Sequence, residues 1–300
     1  MTESEFIVAT IRGEADAAAP DTVDGPPVAW WSFTKTALAA AALALVARGL
    51  CELDAPIDAR GVTLRLLLQH RAGVPNYGAL PAYHDAVRRG DTPWSAAEFL
   101  RRVDAGRPDF PPGQGWRYSN VGYLLVSQMI EERSGRELGA ALAELVFDPL
   151  GLVSPRLARV AGDLDATAWG NDAGYDPRWV AHGLLVGTPG DAARLLHRLL
   201  AGALLPPPLL TQMTLAHPLD FGRLAGRPWE TTGYGLGLMI GMMDGVGLAT
   251  GHSGGGPGSV AAVYRFDRAG TPTTIAVFAR GDQERVVKAA LNDAAQQDLI

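Results

Sequence analysis

The sequence predicts an α+β fold: an antiparallel sheet built from both chain ends, flanked by helices and interrupted by an all-helical subdomain. Three observations carry this expectation. A β-like run, "FIVATI" (6–11), opens the chain, a long middle stretch has helical periodicity, and from residue 234 short apolar runs alternate with glycines as a meander. The 300 residues then form one domain, with residues 1–75 and 230–300 supplying the sheet and residues 76–229 the helical insertion.

Taken in order, "FIVATI" is followed by an Asp- and Pro-rich loop to Pro27. A helix over about 33–48 is apolar on nearly every face, which predicts burial, and Gly49 is its stop signal. "VTLRLLLQHRAGVPNYG" (62–78) is a short helix running into a Gly/Pro loop, and 79–110 is helical and surface-exposed. A turn-rich loop, "FPPGQGWRYSN" (110–120), leads into a helix over 121–133 with Val121, Leu124, Leu125 and Met129 on one face and Gly135 as its stop. The segment 153–182 is irregular, 189–202 is an amphipathic helix, and "LLPPPLL" is a stiff connection. "YGLGLMIGM", "SVAAVYRFD" and "TTIAVFAR" read as three strands before a closing helix over about 283–297.

The totals exclude several classes. With 47% hydrophobic and 19% charged residues the chain is globular. A net charge of −6 gives no basic footprint for nucleic acid. The single cysteine, Cys51, rules out an internal disulfide and fits a reducing compartment. The N-terminus lacks the basic-then-apolar pattern of a secretory signal, and the run "ALAAAALALVA" (37–47) is too short to cross a bilayer. A cytoplasmic protein with no membrane attachment is expected. No metal or other cofactor is expected either, because the six histidines lack metal-site spacing.

"GHSGG" (251–255) fits the G-x-S-x-G signature of an esterase nucleophile. That elbow needs a helix after the serine and a histidine further on. Here glycines lead into a strand, and His252 is the last histidine of the chain, so Ser253 is not expected to be the nucleophile. The alternative lies in "WSFTKT" (31–36), where Ser32 and Lys35 are three residues apart at a helix start and share a face. A serine attacks well only when a base removes its proton, and lysine can do so once burial neutralises it, whereas arginine cannot. Of the 26 basic residues only Lys35 and Lys288 are lysine, so a lysine at 35 points to a task arginine cannot perform.

Two further elements fit the same chemistry. In "YSN", Tyr118 and Asn120 point the same way from extended backbone, Tyr118 able to relay a proton and Asn120 to bind a carbonyl or amide. The plainer alternative makes Ser119 or Asn120 a helix cap and Tyr118 a packing residue. In "HSG" (252–254) the glycines let backbone N–H groups approach a ligand, and the N–H of Gly255 can pair with that of Ser32 as an oxyanion hole. A glycine-rich hairpin connection is the bland alternative. Trp31, Tyr77, Trp116, His182, Trp229 and Tyr234 are candidate pocket walls, though aromatics are more often core.

S-x-x-K, then Y-x-N, then H-x-G in this order resembles the serine β-lactamase and penicillin-binding-protein superfamily. The match is strongest to class C β-lactamases, D,D-peptidases, D-aminopeptidases and family VIII carboxylesterases. Connecting segments such as "FPPGQGWRYSNVGYLLVSQMIEERSG" extend the resemblance over roughly residues 8–295. It implies a β-lactamase/transpeptidase-like fold with the active site between sheet and helical subdomain. It further implies Ser32 as the acylated nucleophile, Lys35 and Tyr118 sharing proton traffic, and Asn120 orienting substrate. His252 takes the place of the lysine of true β-lactamases, with Ser253 and Gly254 beside it and the N–H groups of Ser32 and Gly255 holding the oxyanion. That replacement lowers the expectation of β-lactamase activity. The favoured function is a serine hydrolase cleaving a small ester or amide, esterase-like, with a D-amino-acid amidase or peptidase, a weak β-lactamase and a non-catalytic ligand sensor or scaffold as alternatives. Only one clear strand precedes Ser32, where the family usually has two. The sheet edge this leaves is expected to pair in a homodimer.

Overall fold

A computed structural model of the chain describes residues 6–13, 25–171, 174–220, 228–268 and 270–281, together with 288, 291, 292 and 295. Its strands are β1 (Phe6–Arg12), β2 (Val28–Ala29), β3 (Arg156–Ala158), β4 (Leu184–Gly187), β5 (His217–Leu219), β6 (Thr232–Tyr234), β7 (Met239–Met243), β8 (Gly247–Gly256), β9 (Ser259–Arg268) and β10 (Thr271–Arg280). The helices are α1 (Thr34–Ala47), α2 (Leu64–Leu68), α3 (Pro81–Arg89), α4 (Ala96–Arg102), α5 (Asn120–Ser134), α6 (Leu138–Leu142), α7 (Gly162–Asp165), α8 (Pro189–Leu200) and α9 (Pro207–Thr214). Among the described residues these form an antiparallel sheet in the order β1-β10-β9-β8-β7-β6-β5 and a small sheet in the order β2-β4-β3. No described helix is long and apolar enough to cross a membrane.

The large sheet is covered on both faces, and its strands alternate accordingly. Ala261, Val263, Ala276 and Phe278 face the helical body, whereas Val260, Ala262, Tyr264, Ile275 and Val277 face a second core that includes Leu291 and Ala295. These last two, with Lys288 and Asn292, are helical, and the remainder of the closing helix expected over 283–297 lies outside the described residues. Among the described residues β1 lies at one edge, paired with β10, bringing the N-terminal and C-terminal strands together as the sequence predicts.

α1 is buried around its circumference from Thr34 to Leu45, because alanines let α5, α6 and α8 approach its backbone closely. It stops where expected, with Gly49 left-handed at φ +70°, and Gly135 ends α5 in the same way at φ +66°. α8, from the insertion, packs on β1, β9 and β10, while β3 and β4 bring two short insertion strands beside β2.

Two expectations on the sheet change. "YGLGLMIGM" is not one strand, since Gly235–Leu238 form a turn between β6 and β7 that seats on α1 and α9. Gly237 has φ +77°, and a Cβ on it would lie 2.4 Å from that of Ala39, so only glycine lets the turn sit this close. "GHSGG" is neither an elbow nor a connection. It lies inside β8, paired residue by residue with β9, because glycines leave room for the neighbouring Ser32 turn.

Candidate active site

Ser32 lies in a single 3-10 turn, Trp31–Phe33, that feeds directly into α1. Trp31 takes a left-handed φ of +44°, an unusual conformation for a bulky residue that costs on the order of 1–3 kcal/mol. Its ring is held by an Nε1–H bond to Ser259 Oγ (2.9 Å) and by Gly256, where a Cβ would overlap the indole at 2.2 Å. Thus the β8–β9 hairpin fixes the turn that presents Ser32.

Around Ser32 Oγ the structure brings together the residues of two separate motifs. Lys35 Nζ lies 3.2 Å away, one turn along the chain, and Tyr118 Oη donates to the same oxygen at 2.9 Å from 86 residues away. Lys35 is fully buried, and among the described residues no carboxylate pairs with it. Loss of hydration holds its pKa well below the ordinary 10.5, which favours the neutral amine. The amine also lies over the rings of Tyr118 (5.0 Å) and Tyr123 (5.6 Å), and 3.0 Å from His182 Nε2.

Tyr118 and Asn120 are delivered by the start of α5. Ser119 caps that helix, its Oγ accepting the Gly122 N–H at 3.0 Å, so the plain capping alternative and the proposed site geometry hold together. The cap is locked from behind. Asn76 Oδ1 accepts the Asn120 N–H at 3.1 Å, and His70 Nδ1 accepts the Ser119 N–H at 3.1 Å. His70 is buried at φ +59° with its ring 4.4 Å from that of Tyr118, and burial keeps its pKa well below 6.5. Sequence reasoning missed this support, because nothing in "LQHRAGVPNYG" distinguishes a structural histidine from a loop residue.

Register sorts the H-S-G stretch. His252 and Gly254 pair with Val263 and Ala261, on the face toward Ser32, while Ser253 pairs with Ala262 on the other face. Ser253 Oγ lies 3.6 Å from Met239 Sδ in the second core, so its side chain is not part of the Ser32 site; period-2 alternation turns it away. His252 is fully buried, its Nδ1 2.6 Å from Ser253 O and its Nε2 2.8 Å from Tyr234 Oη. Gly254 is the point of closest approach, where a Cβ would sit 2.3 Å from Ser32 N and 3.0 Å from its Cα. Gly254→Ala is therefore expected to push strand and turn apart, costing about 1–3 kcal/mol of stability and about 10²-fold in kcat. Thermal melts and ester kinetics check it, and a variant within about threefold of wild type in kcat would show that the contact is relaxed at no cost.

Above Ser32 opens a cleft of about 270 Å³ lined by Trp31, Tyr77, Tyr83, Tyr175, Asn120 and Gly255 among others. Of the predicted walls, Trp31, Tyr77 and His182 line it. Trp116 and Tyr234 instead pack around His70, at ring distances of 5.9 and 4.7 Å, and support the site from beneath. Trp229 is a correction: it meets Tyr264 edge-on at 5.5 Å in the second core, across the sheet from the cleft, and does not line it. Tyr83, Val87, Tyr175 and Val180 are walls that carry no sequence motif.

An antiparallel sheet covered on both faces, with a Ser–Lys–Tyr cluster between it and the helical insertion, defines a recognisable class. The Beta-lactamase family matches residues 11–298, and the chain belongs to it. Among curated relatives, "Esterase EstB" of Burkholderia gladioli is 34% identical over 143 residues, 40% of this chain and 36% of the relative. A "D-aminopeptidase" of Cereibacter sphaeroides is 32% identical over 119 residues, 38% of this chain and 21% of the relative. The chain thus spans well under half the length of these relatives. A D-stereospecific amidohydrolase from Streptomyces sp. superposes with a TM-score of 0.75 at 24% identity, covering 96% of this chain and 94% of that one, which shows the shared fold.

Proposed function

We propose that this chain is a serine hydrolase that cleaves small, uncharged esters through an acyl-enzyme on Ser32. One observation carries the reading: Ser32 Oγ is within hydrogen-bonding reach of both a buried, carboxylate-free Lys35 amine (3.2 Å) and the Tyr118 hydroxyl (2.9 Å) at a cleft floor. As Oγ attacks the substrate carbonyl, its proton passes to the Lys35 amine directly or by way of Tyr118. The same proton is then returned to the departing alkoxide, leaving an ester on Ser32 that water hydrolyses. Ser32, Gly255 and Asn120 all line the cleft, which supports the N–H groups of Ser32 and Gly255 as the oxyanion donors and Asn120 as the group that orients the acyl carbonyl.

The cleft chemistry supports an ester of an uncharged acid. No Asp, Glu, Lys or Arg lines it among the described residues, so an α-ammonium would enter without a countercharge. His252 supports the same reading, because its ring nitrogens meet Tyr234 Oη and the Ser253 carbonyl and its side chain does not line the cleft. The relatives' names keep a D-amino-acid amidase as the second reading. In a panel of p-nitrophenyl acetate and butyrate, D-alanyl p-nitroanilide and nitrocefin, the neutral esters are expected to exceed the others by about 10²-fold in kcat/KM. A preference for the D-alanyl amide would replace the ester reading. A burst of one product per chain without turnover would mark a sensor. Peptide mapping after fluorophosphonate treatment is expected to place the adduct on Ser32, and an adduct on Ser253 would remove the reading altogether. The proposed homodimer rests on β1 being a sheet edge, and a monomer mass independent of concentration would remove it.

A further inference from the structure

We propose that His182 is a positioning residue for the base: it accepts one N–H of the Lys35 amine and thereby holds the amine's lone pair toward Ser32 Oγ. The inference rests on the Ser32 acyl-enzyme reading and adds to it a residue outside the three motifs. A neutral amine has two N–H groups and one lone pair, and can rotate freely about its last carbon bond. In a dry site with no carboxylate nearby, something must fix that rotation for the lone pair to meet a hydroxyl 3.2 Å away. The amine's other polar neighbour is His182 Nε2 at 3.0 Å, and on its remaining sides it meets the faces of Tyr118 and Tyr123, which accept an N–H only weakly.

The imidazole is held firmly enough for this task. Its backbone carbonyl accepts the Ser127 hydroxyl of α5 at 2.8 Å, and its ring meets Tyr123 edge-on at 6.3 Å. Gly183 follows at φ +94°, where a Cβ would lie 2.9 Å from Leu157 Cδ1, and the chain then enters β4. The ring is fully buried, and burial and the neighbouring Lys35 hold its pKa well below 6.5, which favours the neutral form; with the proton on Nδ1, which is buried without a hydrogen-bond partner among the described residues, Nε2 accepts from the amine. Once Lys35 has taken the serine proton, the same contact becomes a charge-assisted N–H donation from the ammonium, and the proton returns to the leaving group without crossing to His182.

Beside the ring lies a second cavity of about 530 Å³, and His182 and Val180 line both it and the cleft. Removing the imidazole joins the two spaces and leaves room for a free imidazole to take its place.

The test uses the full chain and p-nitrophenyl butyrate. His182→Leu, close in volume but unable to accept, is expected to lower kcat about 10²-fold with KM changed less than about threefold. His182→Gln, which returns an acceptor oxygen, is expected within about tenfold of wild type, and added imidazole to raise kcat of His182→Gly by about tenfold or more. A second measurement is independent of turnover: the ¹⁵N resonance of His182 Nε2 is expected to move in Lys35→Met while that of His217, on β5 outside this cluster, does not. If fluorophosphonate fails to label Ser32, the acyl-enzyme reading falls, and the resonance alone decides whether the amine–imidazole bond exists. Wild-type kcat in His182→Leu, or an unmoved resonance in Lys35→Met, overturns the proposal.

Discussion

Ser32→Ala is expected to abolish sustained ester turnover, with kcat reduced by about 10⁴-fold or more and the melting temperature nearly unchanged. The size follows from the chemistry. Without Oγ there is no acyl-enzyme, and what survives is the modest catalysis of an oxyanion site and an oriented water. The small structural effect follows from the position. Ser32 lies in a 3-10 turn whose conformation is fixed by the Trp31 ring and by β8, and neither needs the hydroxyl. The amine of Lys35 keeps its contact with His182, and Tyr118 stays packed on His70. Turnover in the alanine variant at more than about a hundredth of the wild-type rate would mean that another nucleophile does the work.

The second large effect concerns Lys35, and its two substitutions are expected to separate. Lys35→Arg places a permanent charge in a site that offers no carboxylate. It should lose about 10³-fold or more in kcat and destabilise the fold by about 3–5 kcal/mol, the usual range for an uncompensated buried charge. Lys35→Met fills nearly the same volume without charge, so it should lose activity equally but melt higher than wild type near neutral pH. The direction is fixed by linkage. The unfolded chain binds the Lys35 proton up to about pH 10.5, whereas burial holds the folded amine's pKa well below that value. Between the two values the unfolded state carries more protons, so wild-type stability falls as pH falls from 10.5 towards the folded pKa. The advantage of the methionine variant should therefore shrink as pH rises towards 10.5. The activity of the wild type should fall on the acid side for the same reason, as the amine becomes protonated. Melting curves of both variants across pH check this, and equal pH slopes in wild type and Lys35→Met would show that the lysine is charged in the fold.

The site was legible in the sequence where chemistry restricts residue type. A lone lysine in an arginine-rich chain, three residues after a serine at the head of an alanine helix, identified Ser32 and Lys35 as a candidate pair, and Y-S-N before α5 located Tyr118 and Asn120. The lack of a histidine after Ser253 argued against it as the nucleophile, and the register of β8 turns its hydroxyl to the face away from Ser32. The aromatic walls were not legible in the same way. Trp229 and Tyr234 are both buried aromatics in the C-terminal third, yet Trp229 packs in the second core and Tyr234 against His70 and His252, a choice set by tertiary packing rather than by type. His70, and the contact of His182 with the Lys35 amine beyond its expected place as a wall, became visible only when α2, α5 and β4 were packed together, because a histidine's role depends on what faces its ring nitrogens.

Local sequence by itself determined the strong periodic elements, the buried helix α1, the glycine stops at 49 and 135, and the choice of Ser32 and Lys35 as the candidate pair, since each depends on contacts within a few residues. Tertiary structure decided the split between β6 and β7, the strand identity of "GHSGG", and which side chains surround the Lys35 amine. Those outcomes depend on close approach between segments as far as 200 residues apart, as where Thr36 Oγ1 donates to Gly237 O across 201 positions of sequence. Burial of that kind sets the amine's protonation, and no local pattern encodes it.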